Sequence, residues 1–468
     1  CIDQVLCNPT VGSKSFLITI GDRSVGGLTA RDQMVGPFQT PVADSAAVLW
    51  DFKNYGGQVF SVGERSPIAI KDPAAASRMA LGETITNLLS SYVKDLRDIK
   101  LCANWMAACG EQGQDFSLFV AVQALAKELC PQLELSIPVG KDSLSMKTEW
   151  KEKKSINSVI SPVSLNLSAV AKTADVRKTW VPTLNKDIKE SVLIYIDLAN
   201  GCKRLGGSVF SFINNKFGGD PPDLENTGVL KNFFMAISAL HKFEGKNNPV
   251  FAYHDVSDGG LIVSLLEMAF TRKVGLDISL NNIQADNLNN FLFAEEIGFV
   301  IQVESKLVDE ISRSLKNKNI IAEEVAVLNS SQNVQISHEN KVIFEESIIN
   351  LEKKWRDVSH TIQSLRDNKS SADSELNLLD TNYKGLNSRE SFKNPNLQIF
   401  NTKDKKPKVA ILREQGVNGQ LEMAAAFTLA GFDAVDVHMQ DLLDKNINLK
   451  SFNGMAACGG FSYGDVLG

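Results

Sequence analysis

Apolar residues recur along the 468-residue chain in two patterns, short β-branched runs and longer segments with helical spacing. The clearest helix is predicted for residues 72–93, where Asp72 can cap the first turn and Pro73 occupies the first helical position. Further helices are predicted at 117–129 and 229–241, and strands at 15–20, 163–170, 191–198, 250–253 and 299–303. This alternation up to about residue 348 predicts an α/β or α+β architecture.

Changes in composition divide the chain into segments. A stretch of mixed polarity near 175–190 separates two modules, which we place at 1–182 and 190–348. Apolar residues then become sparse and Asn, Ser, Asp and Lys dominate, so 349–405 is predicted to be a linker. The segment 406–468 has the spacing of the start of a doubly wound parallel sheet. Its predicted elements are a helix at 419–430 and strands at 408–412, 432–437 and 455–457.

A loop rich in acids and glycine follows the predicted strand at 250–253. It reads H-D-V-S-D-G-G over residues 254–260 and leads into an apolar segment of helical length. Glycines let the backbone approach a ligand, a helix start offers free N–H groups, and the carboxylates of Asp255 and Asp258 supply the hard oxygens that Mg²⁺ prefers. An ordinary helix start capped by Ser257 or Asp258 explains the same pattern, so the loop alone does not decide.

Other polar positions form weaker patterns. Glu83 and Asn87 share one face of the predicted helix and could supply half of a magnesium shell, although a solvated polar stripe is the commoner reason for such a pair. Asp44 follows a short extended segment. The glycine-flanked loop 21–27 suggests a phosphate-facing turn but lacks the G-K-[ST] of a P-loop. Lys141, beside a glycine and two hydroxyls, could hold a phosphate or lie in a surface turn.

Composition and charge narrow the class of protein. The chain is 43% hydrophobic and 22% charged, as in ordinary globular proteins, and its net charge of −6 argues against a nucleic-acid partner. No apolar run is long enough to cross a bilayer and no signal peptide is recognised, so we expect a cytoplasmic location. The seven cysteines lack metal-site spacing, and most are predicted to be reduced and buried. The terminal residues, Cys1 and Gly468, lead us to expect a piece of a longer polypeptide.

A set of motifs recurs in an order that resembles a known family. The motifs are F-L-I-T-I-G-D-R-S-V-G-G, A-R-D-Q-M-V-G-P, K-L-C-A-N-W-M, I-P-V-G-K-D-S-L-S-M-K-T, A-Y-H-D-V-S-D-G-G-L, A-I-L-R-E-Q-G-V-N and A-C-G-G-F-S-Y-G-D-V-L-G. They cover almost the whole chain and resemble the large, bacterial-type phosphoribosylformylglycinamidine synthase family, also called formylglycinamide ribonucleotide amidotransferases. The resemblance implies that 1–182 and 190–348 are the N-terminal-type and C-terminal-type subdomains of an aminoimidazole-ribonucleotide-synthase-like synthetase module, the second of a tandem pair. It also implies that 406–468 is the truncated start of a class I glutamine amidotransferase domain.

The resemblance implies an activity, an ATP-dependent amidoligase of purine biosynthesis. The family converts ATP, formylglycinamide ribonucleotide, glutamine and water to formylglycinamidine ribonucleotide, glutamate, ADP and phosphate. The family's nucleotide contacts match Ala43 and Ser257, and its magnesium ligands match Asp44, Glu83, Asn87 and Asp255. The implied cofactors are Mg²⁺ and ATP/ADP. The implied partners are the small-molecule substrates and the missing N-terminal and C-terminal parts of the same polypeptide, with no nucleic acid and no membrane.

The final segment is expected to carry no catalytic residue. The resemblance places the glutaminase cysteine, histidine and glutamate beyond the end of the chain, so Cys458 is not expected to be the nucleophile and the chain alone should be inactive. Gly459, Gly460 and Phe461 are the candidate backbone donors to a glutamine oxyanion. Two alternatives stay open. One is a stand-alone ATP-dependent synthase of the same superfamily, against which the amidotransferase-like tail counts, and the other is a nucleotide-binding structural fragment without turnover.

Overall fold

The computed structural model describes all residues except 22, 25, 26, 154, 218, 242–248, 390, 392–405 and 462–468. The chain forms two compact units. The larger comprises Cys1–Arg23, Ala30–Trp50 and Tyr55–Leu386, and the smaller comprises Ser24–Thr29, Asp51–Asn54 and Asn387–Gly468. Three residues of the predicted phosphate-facing loop, Asp22, Val25 and Gly26, lie outside the described residues. Among the described helices, none has the length and apolar character needed to span a membrane.

The described part of residues 1–182 contains a six-stranded sheet, a separate hairpin and flanking helices. The strands are β1 Thr29–Arg31, β2 Ala46–Leu49, β3 Gly57–Gly63, β4 Lys100–Met106, β5 Ser136–Ser143, β6 Lys147–Glu152, β7 Ser155–Ile160 and β8 Ser164–Thr173. The helices are α1 Ile2–Leu6, α2 Ser15–Ile18, α3 Pro73–Leu88, α4 Gln114–Val122 and α5 Cys130–Leu133. The sheet order is β1-β2-β3-β8-β4-β5, with β4 and β5 parallel, while β6 and β7 pair only with each other.

Helix α3 lies at the centre of the first hydrophobic core. Asp72 caps it by accepting a hydrogen bond from the Ala75 N–H at 2.9 Å, and Pro73 opens it, as predicted. Its apolar side chains, among them Leu81 and Ile85, are fully buried against β3 and β8. The same core includes Phe299 from the second half of the unit. The two halves therefore share one core, and α3 is fixed where polar residues from both can meet.

The described part of residues 190–347 forms a seven-stranded sheet with helices. Its strands are β9 Ser191–Asp197, β10 Val250–Asp255, β11 Gly275–Ser279, β12 Gly298–Glu304, β13 Ile321–Asn329, β14 Asn333–His338 and β15 Lys341–Ser347. Its helices are α6 Val209–Ile213, α7 Thr227–His241, α8 Leu261–Phe270, α9 Leu288–Phe293 and α10 Val308–Lys316. The order β10-β12-β9-β13-β11-β14-β15 places β10 at one edge, paired antiparallel with β12. The predicted alternation of strands and helices is confirmed.

The predicted linker at 349–405 is wrong for its first part, because the structure contains two helices there. Helix α11 spans Ile348–Arg366 and α12 spans Lys369–Asn377, both within the larger unit. Leu351 and Trp355 of α11 are fully buried, and the Trp355 indole N–H donates to the Val11 carbonyl at 3.0 Å. A few correctly spaced apolar residues therefore suffice to bury a helix whose composition is polar. Residues 392–405 of the predicted linker lie outside the described residues.

The strand predicted at 15–20 is also wrong. Residues Ser15–Ile18 form a single helical turn, α2, followed by Thr19. The Ser15 hydroxyl lies 2.7 Å from the Ser359 hydroxyl on α11, and the Thr19 hydroxyl donates to the Ser15 carbonyl at 2.8 Å. Hydroxyl groups that bond locally and to a packed helix favour a turn over an extended strand, although the apolar run alone predicted a strand.

The cysteines are less buried than predicted. All seven are free thiols in the structure, which agrees with the prediction that they are reduced. Only Cys130 is buried, while Cys1, Cys7 and Cys102 are exposed. The prediction that most are buried is therefore wrong, because Cys1 and Cys7 flank the short helix α1 and Cys102 occupies an outward-facing position of β4.

The described part of residues 406–461 forms a three-stranded parallel sheet. Its elements are β16 Lys408–Arg413, α13 Gln420–Leu429, β17 Asp433–His438, α14 Met439–Leu443 and β18 Gly454–Ala457. The order is β17-β16-β18, with β16 parallel to both neighbours. This order, with helices between the strands, confirms the predicted start of a doubly wound sheet.

Candidate functional site

The acidic loop predicted from sequence connects β10 to α8. Gly259 and Gly260 have φ of 86° and 77°, conformations that residues with a Cβ rarely adopt. A Cβ on Gly260 would lie 2.7 Å from the Phe293 carbonyl carbon, so the close approach also requires glycine. Gly260 itself precedes α8 and no side chain caps the helix. The alternative in which Ser257 or Asp258 caps an ordinary helix is therefore wrong.

Asp44 meets this loop with one carboxylate oxygen. Its side chain is 1% exposed, and its Oδ1 accepts hydrogen bonds from His254 Nδ1 at 2.8 Å and from the Asp255 N–H at 3.0 Å. Its Oδ2 is buried and has no hydrogen-bond partner among the described residues. A buried carboxylate oxygen without a donor is costly, and a cation would satisfy it.

Glu83 and Asn87 occupy the same face of α3, one turn apart. Glu83 Oε1 accepts from the Ser257 hydroxyl at 2.7 Å, and its Oε2 accepts from the Glu64 N–H at 2.7 Å. Asn87 donates through Nδ2 to the Val62 carbonyl at 3.0 Å. This leaves Asn87 Oδ1 buried and without a partner in the described part of the chain. The pair is therefore not a solvated polar stripe.

The structure brings most of the predicted site residues together. Asp44 contacts Asp255, and Glu83 contacts Ser257 two positions further along the same loop. Ala43 adjoins Asp44, and its N–H donates to the Gln33 carbonyl at 3.3 Å. These residues come from both halves of the larger unit. Asn87 reaches the same region through α3, with no direct bond to the others.

A buried arginine that sequence reasoning did not identify balances part of this negative charge. The Arg65 side chain is 2% exposed, and its Nη2 donates to the Val256 carbonyl at 3.2 Å. Its Nη1 lies 3.5 Å from Asp258 Oδ1, and its Nε lies 3.7 Å from Glu83 Oε1. Burial favours the neutral form of the guanidinium, but the Glu83 and Asp258 carboxylates raise the pKa of Arg65 above its usual value.

His254 lies between two carboxylates. Its Nδ1 faces Asp44 and its Nε2 lies 3.0 Å from Glu267 Oε2. Burial alone would lower the pKa of His254, but the Asp44 carboxylate and then Glu267 raise it well above its usual value. Glu267 is the one charged residue of helix α8, whose other residues are apolar except for Ser264. A lone carboxylate in a buried apolar helix is the sequence signal that could have identified it.

Negative charge still exceeds positive charge around the loop. Burial, followed by the neighbouring Asp44 carboxylate, raises the pKa of Asp255 well above its usual value. Burial and the Glu295 carboxylate do the same for the pKa of Asp258. Glu295, also missed from sequence, accepts from the N–H groups of Gly259 and Val209 at 2.8 Å each and so fixes the loop. A bound cation would relieve this excess of buried negative charge.

Two other features lie apart from these residues. Lys141 is on the exposed strand β5, where its Nζ donates to the Ser143 hydroxyl at 2.5 Å, so it lies on a strand rather than in the surface turn considered from sequence. A cleft of about 760 Å³ is lined by residues that include Asp277, Phe291 and Glu323, and it contains none of the predicted site residues. Neither feature adds a ligand to the site.

The turn that follows β18 is built differently. The Phe461 N–H donates to the Gly416 carbonyl at 2.8 Å, so this candidate oxyanion donor is already bonded. Gly460 has a φ of 133°, and a Cβ there would lie 2.3 Å from the Gly416 oxygen. Burial, and to a smaller extent the Glu422 carboxylate, raise the pKa of the Cys458 thiol. A raised thiol pKa disfavours the thiolate that a nucleophile needs.

Comparison with known proteins identifies three domain families along the chain. Residues 13–172 match the FGAR-AT PurM_N-like domain, residues 190–339 the C-terminal domain of AIR synthase related proteins, and residues 406–468 the CobB/CobQ-like glutamine amidotransferase domain. These matches agree with the subdomain types that the resemblance implied.

Solved structures of similar fold come from Thermotoga maritima. PurL complexed with FGAR matches with a TM-score of 0.54 at 11% identity over 75% of this chain and 52% of that one. The PurLQS structure gives 0.53 at 13% identity over 75% and 51%, and PurL complexed with ATP gives 0.50 at 12% over 75% and 51%. At these identities the likeness concerns the fold. The chain spans about half the length of these proteins.

The order of these domains defines a class of protein in which an AIR-synthase-type module is joined to a glutamine amidotransferase domain. Within this class, the FGAR-AT type of the first domain is the specific feature. The three domain matches together support a PurL-type phosphoribosylformylglycinamidine synthase. The resemblance inferred from the motifs is thereby confirmed.

Proposed function

We propose that the chain is part of an ATP-dependent amidoligase that converts formylglycinamide ribonucleotide, glutamine, ATP and water to formylglycinamidine ribonucleotide, glutamate, ADP and phosphate. The succession of FGAR-AT, AIR-synthase-related and amidotransferase domains supports this reaction. The relatives of similar fold include PurL complexed with FGAR and PurL complexed with ATP. We place the reaction in the cytoplasm, with small molecules as partners.

The larger unit, in this proposal, binds Mg²⁺ together with an adenine nucleotide. The observation that carries it is a pair of buried oxygens, Asp44 Oδ2 and Asn87 Oδ1, for which the described residues provide no hydrogen-bond partner. Together with Glu83 and Asp255 they form an oxygen-only donor set of the kind that Mg²⁺ prefers. When bound, the ion would supply positive charge that neutralises nucleotide phosphate.

The protein residues hold and orient the cation and the nucleotide in this proposed site. Ala43 and Ser257 flank the proposed ligands and are the proposed nucleotide contacts. The Ser257 hydroxyl donates to Glu83, which fixes both side chains. Arg65 and His254 stabilise the buried cluster of carboxylates, because they offset part of its negative charge. In the smaller unit, Gly459 and Gly460 remain the proposed oxyanion donors, because the Phe461 N–H is bonded to Gly416.

Calorimetric titration of ADP with Mg²⁺ tests the site. Asp44→Asn and Glu83→Ala each remove one carboxylate and should lower ADP affinity at least tenfold or so, with loss of the ligand-dependent rise in Tm. Asp277→Asn removes a carboxylate on β11 outside the site and should change neither quantity. Unchanged affinity and Tm in both site variants would contradict the proposal.

A further inference from the structure

His254 connects the candidate site to the interior of the larger unit. Its side chain is 7% exposed, its Nδ1 lies 2.8 Å from Asp44 Oδ1, and its Nε2 lies 3.0 Å from Glu267 Oε2. Each ring nitrogen thus faces a carboxylate oxygen, a group that accepts hydrogen bonds. With both nitrogens engaged in this way, the ring orients Asp44 in this arrangement.

The consequence of this contact falls on Asp44. Its Oδ1 accepts from both His254 Nδ1 and the Asp255 N–H, whereas its Oδ2 has no partner in the described part of the chain. A cation that approaches Asp44 therefore meets one available oxygen. Coordination by both oxygens would require loss of the two hydrogen bonds to Oδ1.

The distinction between one and two carboxylate oxygens separates two common cations. Mg²⁺ requires a near-octahedral shell of six oxygens at short distances, whereas Ca²⁺ takes six to eight ligands and readily accepts a carboxylate through both oxygens. We propose that His254 is a positioning residue that restricts Asp44 to coordination through Oδ2 and thereby makes the site prefer Mg²⁺ to Ca²⁺. This inference rests on the proposed function, in which the site holds a cation with a nucleotide.

Glu267 fixes the other side of the ring. It projects from α8, whose other residues are buried and, apart from Ser264, apolar, and its side chain is 18% exposed. A ring held at both nitrogens by groups from different segments cannot rotate away from Asp44 without losing a charged hydrogen bond. Such partners of metal ligands typically change metal affinity by 10- to 100-fold when they are removed.

Two substitutions of similar size, His254→Asn and His254→Gln, both remove the imidazole but differ in whether they keep the hydrogen bond to Asp44. Comparing them shows which effect depends on that bond. The amide nitrogen of asparagine lies as many bonds from Cα as His Nδ1, so His254→Asn retains a donor toward Asp44. The amide nitrogen of glutamine corresponds to His Nε2, so His254→Gln retains a donor only toward Glu267. ADP is titrated into each variant in the presence of Mg²⁺ or Ca²⁺, and the ratio of the two affinities is compared.

We expect the wild-type chain and His254→Asn to favour Mg²⁺ and His254→Gln to lose about 10- to 100-fold of that preference. Glu267→Gln weakens the hydrogen bond that holds the His254 ring at Nε2, so it should also reduce the preference for Mg²⁺. His241→Gln removes a buried imidazole that has no carboxylate partner in the described part of the chain and should leave the ratio unchanged. An unchanged ratio in His254→Gln, or an equal loss in His254→Asn, would overturn the inference while leaving the proposed function intact. Failure of the wild-type chain to bind ADP with either ion would overturn the proposed function itself.

Discussion

Two turns of this chain share a local pattern and differ in their surroundings. Residues 256–260 follow β10 and residues 458–461 follow β18, and each turn contains a pair of glycines with positive φ. Around the first turn lie buried acids, a buried arginine and a histidine held between carboxylates. Around the second turn, a Cβ on Gly459 would meet no atom of the described residues within 4 Å.

The difference shows that a strand followed by paired glycines does not define a chemistry. The glycines make room for a close approach, and the side chains brought from distant segments determine what can approach. Asp44 and Asp255, which are joined by a hydrogen bond, lie 211 positions apart. The turn at 458–461 has no comparable set of buried charges among the described residues, and what it can offer a ligand is backbone N–H groups.

The largest effect, on glutamine-dependent synthesis, is expected when Gly460, the crowded glycine of the second turn, is replaced by a larger residue. A Cβ at position 460 would lie 2.3 Å from the Gly416 oxygen, so Gly460→Val must move the turn and the proposed oxyanion donors with it. In the intact protein, glutamine-dependent synthesis should fall about 100-fold or more while ammonia-dependent synthesis persists. Gly454→Val, whose added Cβ has only one described neighbour, at 4.0 Å, is the matched control on β18, the strand that precedes the turn. Equal loss of both activities would show that the turn has no specific role in glutamine use.

The same comparison can be made through stability. Gly260 combines a φ of 77° with a Cβ position 2.7 Å from backbone, so Gly260→Ala should lower the free energy of unfolding by about 3 kcal/mol through strain and overpacking. Gly459→Ala has a similar φ, of 76°, but the added Cβ has no described atom within 4 Å, so it should cost about 1 kcal/mol. Urea denaturation followed by circular dichroism measures both. Equal costs would mean that the two turns are packed alike.

A pH experiment on His241 tests whether burial lowers the pKa of a histidine that has no carboxylate partner among the described residues. His241 is buried, stacked 3.6 Å from Trp180 and bonded to the Leu89 carbonyl, and burial lowers its pKa to about 4. Because the unfolded chain binds this proton near pH 6.5 and the folded chain does not, stability should fall as pH decreases from 7 toward 4. Between pH 7 and pH 5 the loss should be about 2 kcal/mol.

The control for this experiment is His241→Gln, which cannot take up the proton. Its free energy of unfolding should change less between pH 7 and pH 5, and the difference from the wild-type chain isolates the contribution of His241. Parallel pH profiles for the two proteins would show that burial does not neutralise this histidine. The contrast with His254, whose carboxylate partners raise its pKa, would then lose its physical basis.

Sequence reasoning succeeded where local signals agreed. The cap at Asp72, the proline at 73 and the apolar spacing all predicted α3, and the strand–helix order after residue 406 predicted the parallel sheet. The candidate ligands were a different case. Glu83 and Asn87 looked like a solvated stripe until the resemblance joined them to Asp44 and Asp255, because nothing local indicates which distant segment covers a polar face.

What could not be predicted depends on tertiary contacts. Arg65 lies beside no motif, and its role follows only from the carboxylates that surround it. Helix α11 was missed because its polar residues outnumber the few apolar positions, such as Trp355, that bury it. The strand predicted at 15–20 failed because the Ser15 hydroxyl pairs with Ser359, far along the chain. In each case the deciding partner lies outside any local window.

The smallest effect is expected at the residue that most invites a catalytic role. Cys458 follows a strand and precedes two glycines, as in a nucleophile elbow, but Ala456 occupies the position two residues before it where that turn needs glycine. Burial also raises the pKa of its thiol. In the intact protein, Cys458→Ala should therefore leave glutamine hydrolysis unchanged, and a glutamine-analogue alkylator should label another peptide. Labelling of Cys458, or loss of hydrolysis in a Cys458→Ala protein with an unchanged melting profile, would contradict this prediction. Either result would mean that Cys458 in the second turn takes part in glutamine hydrolysis.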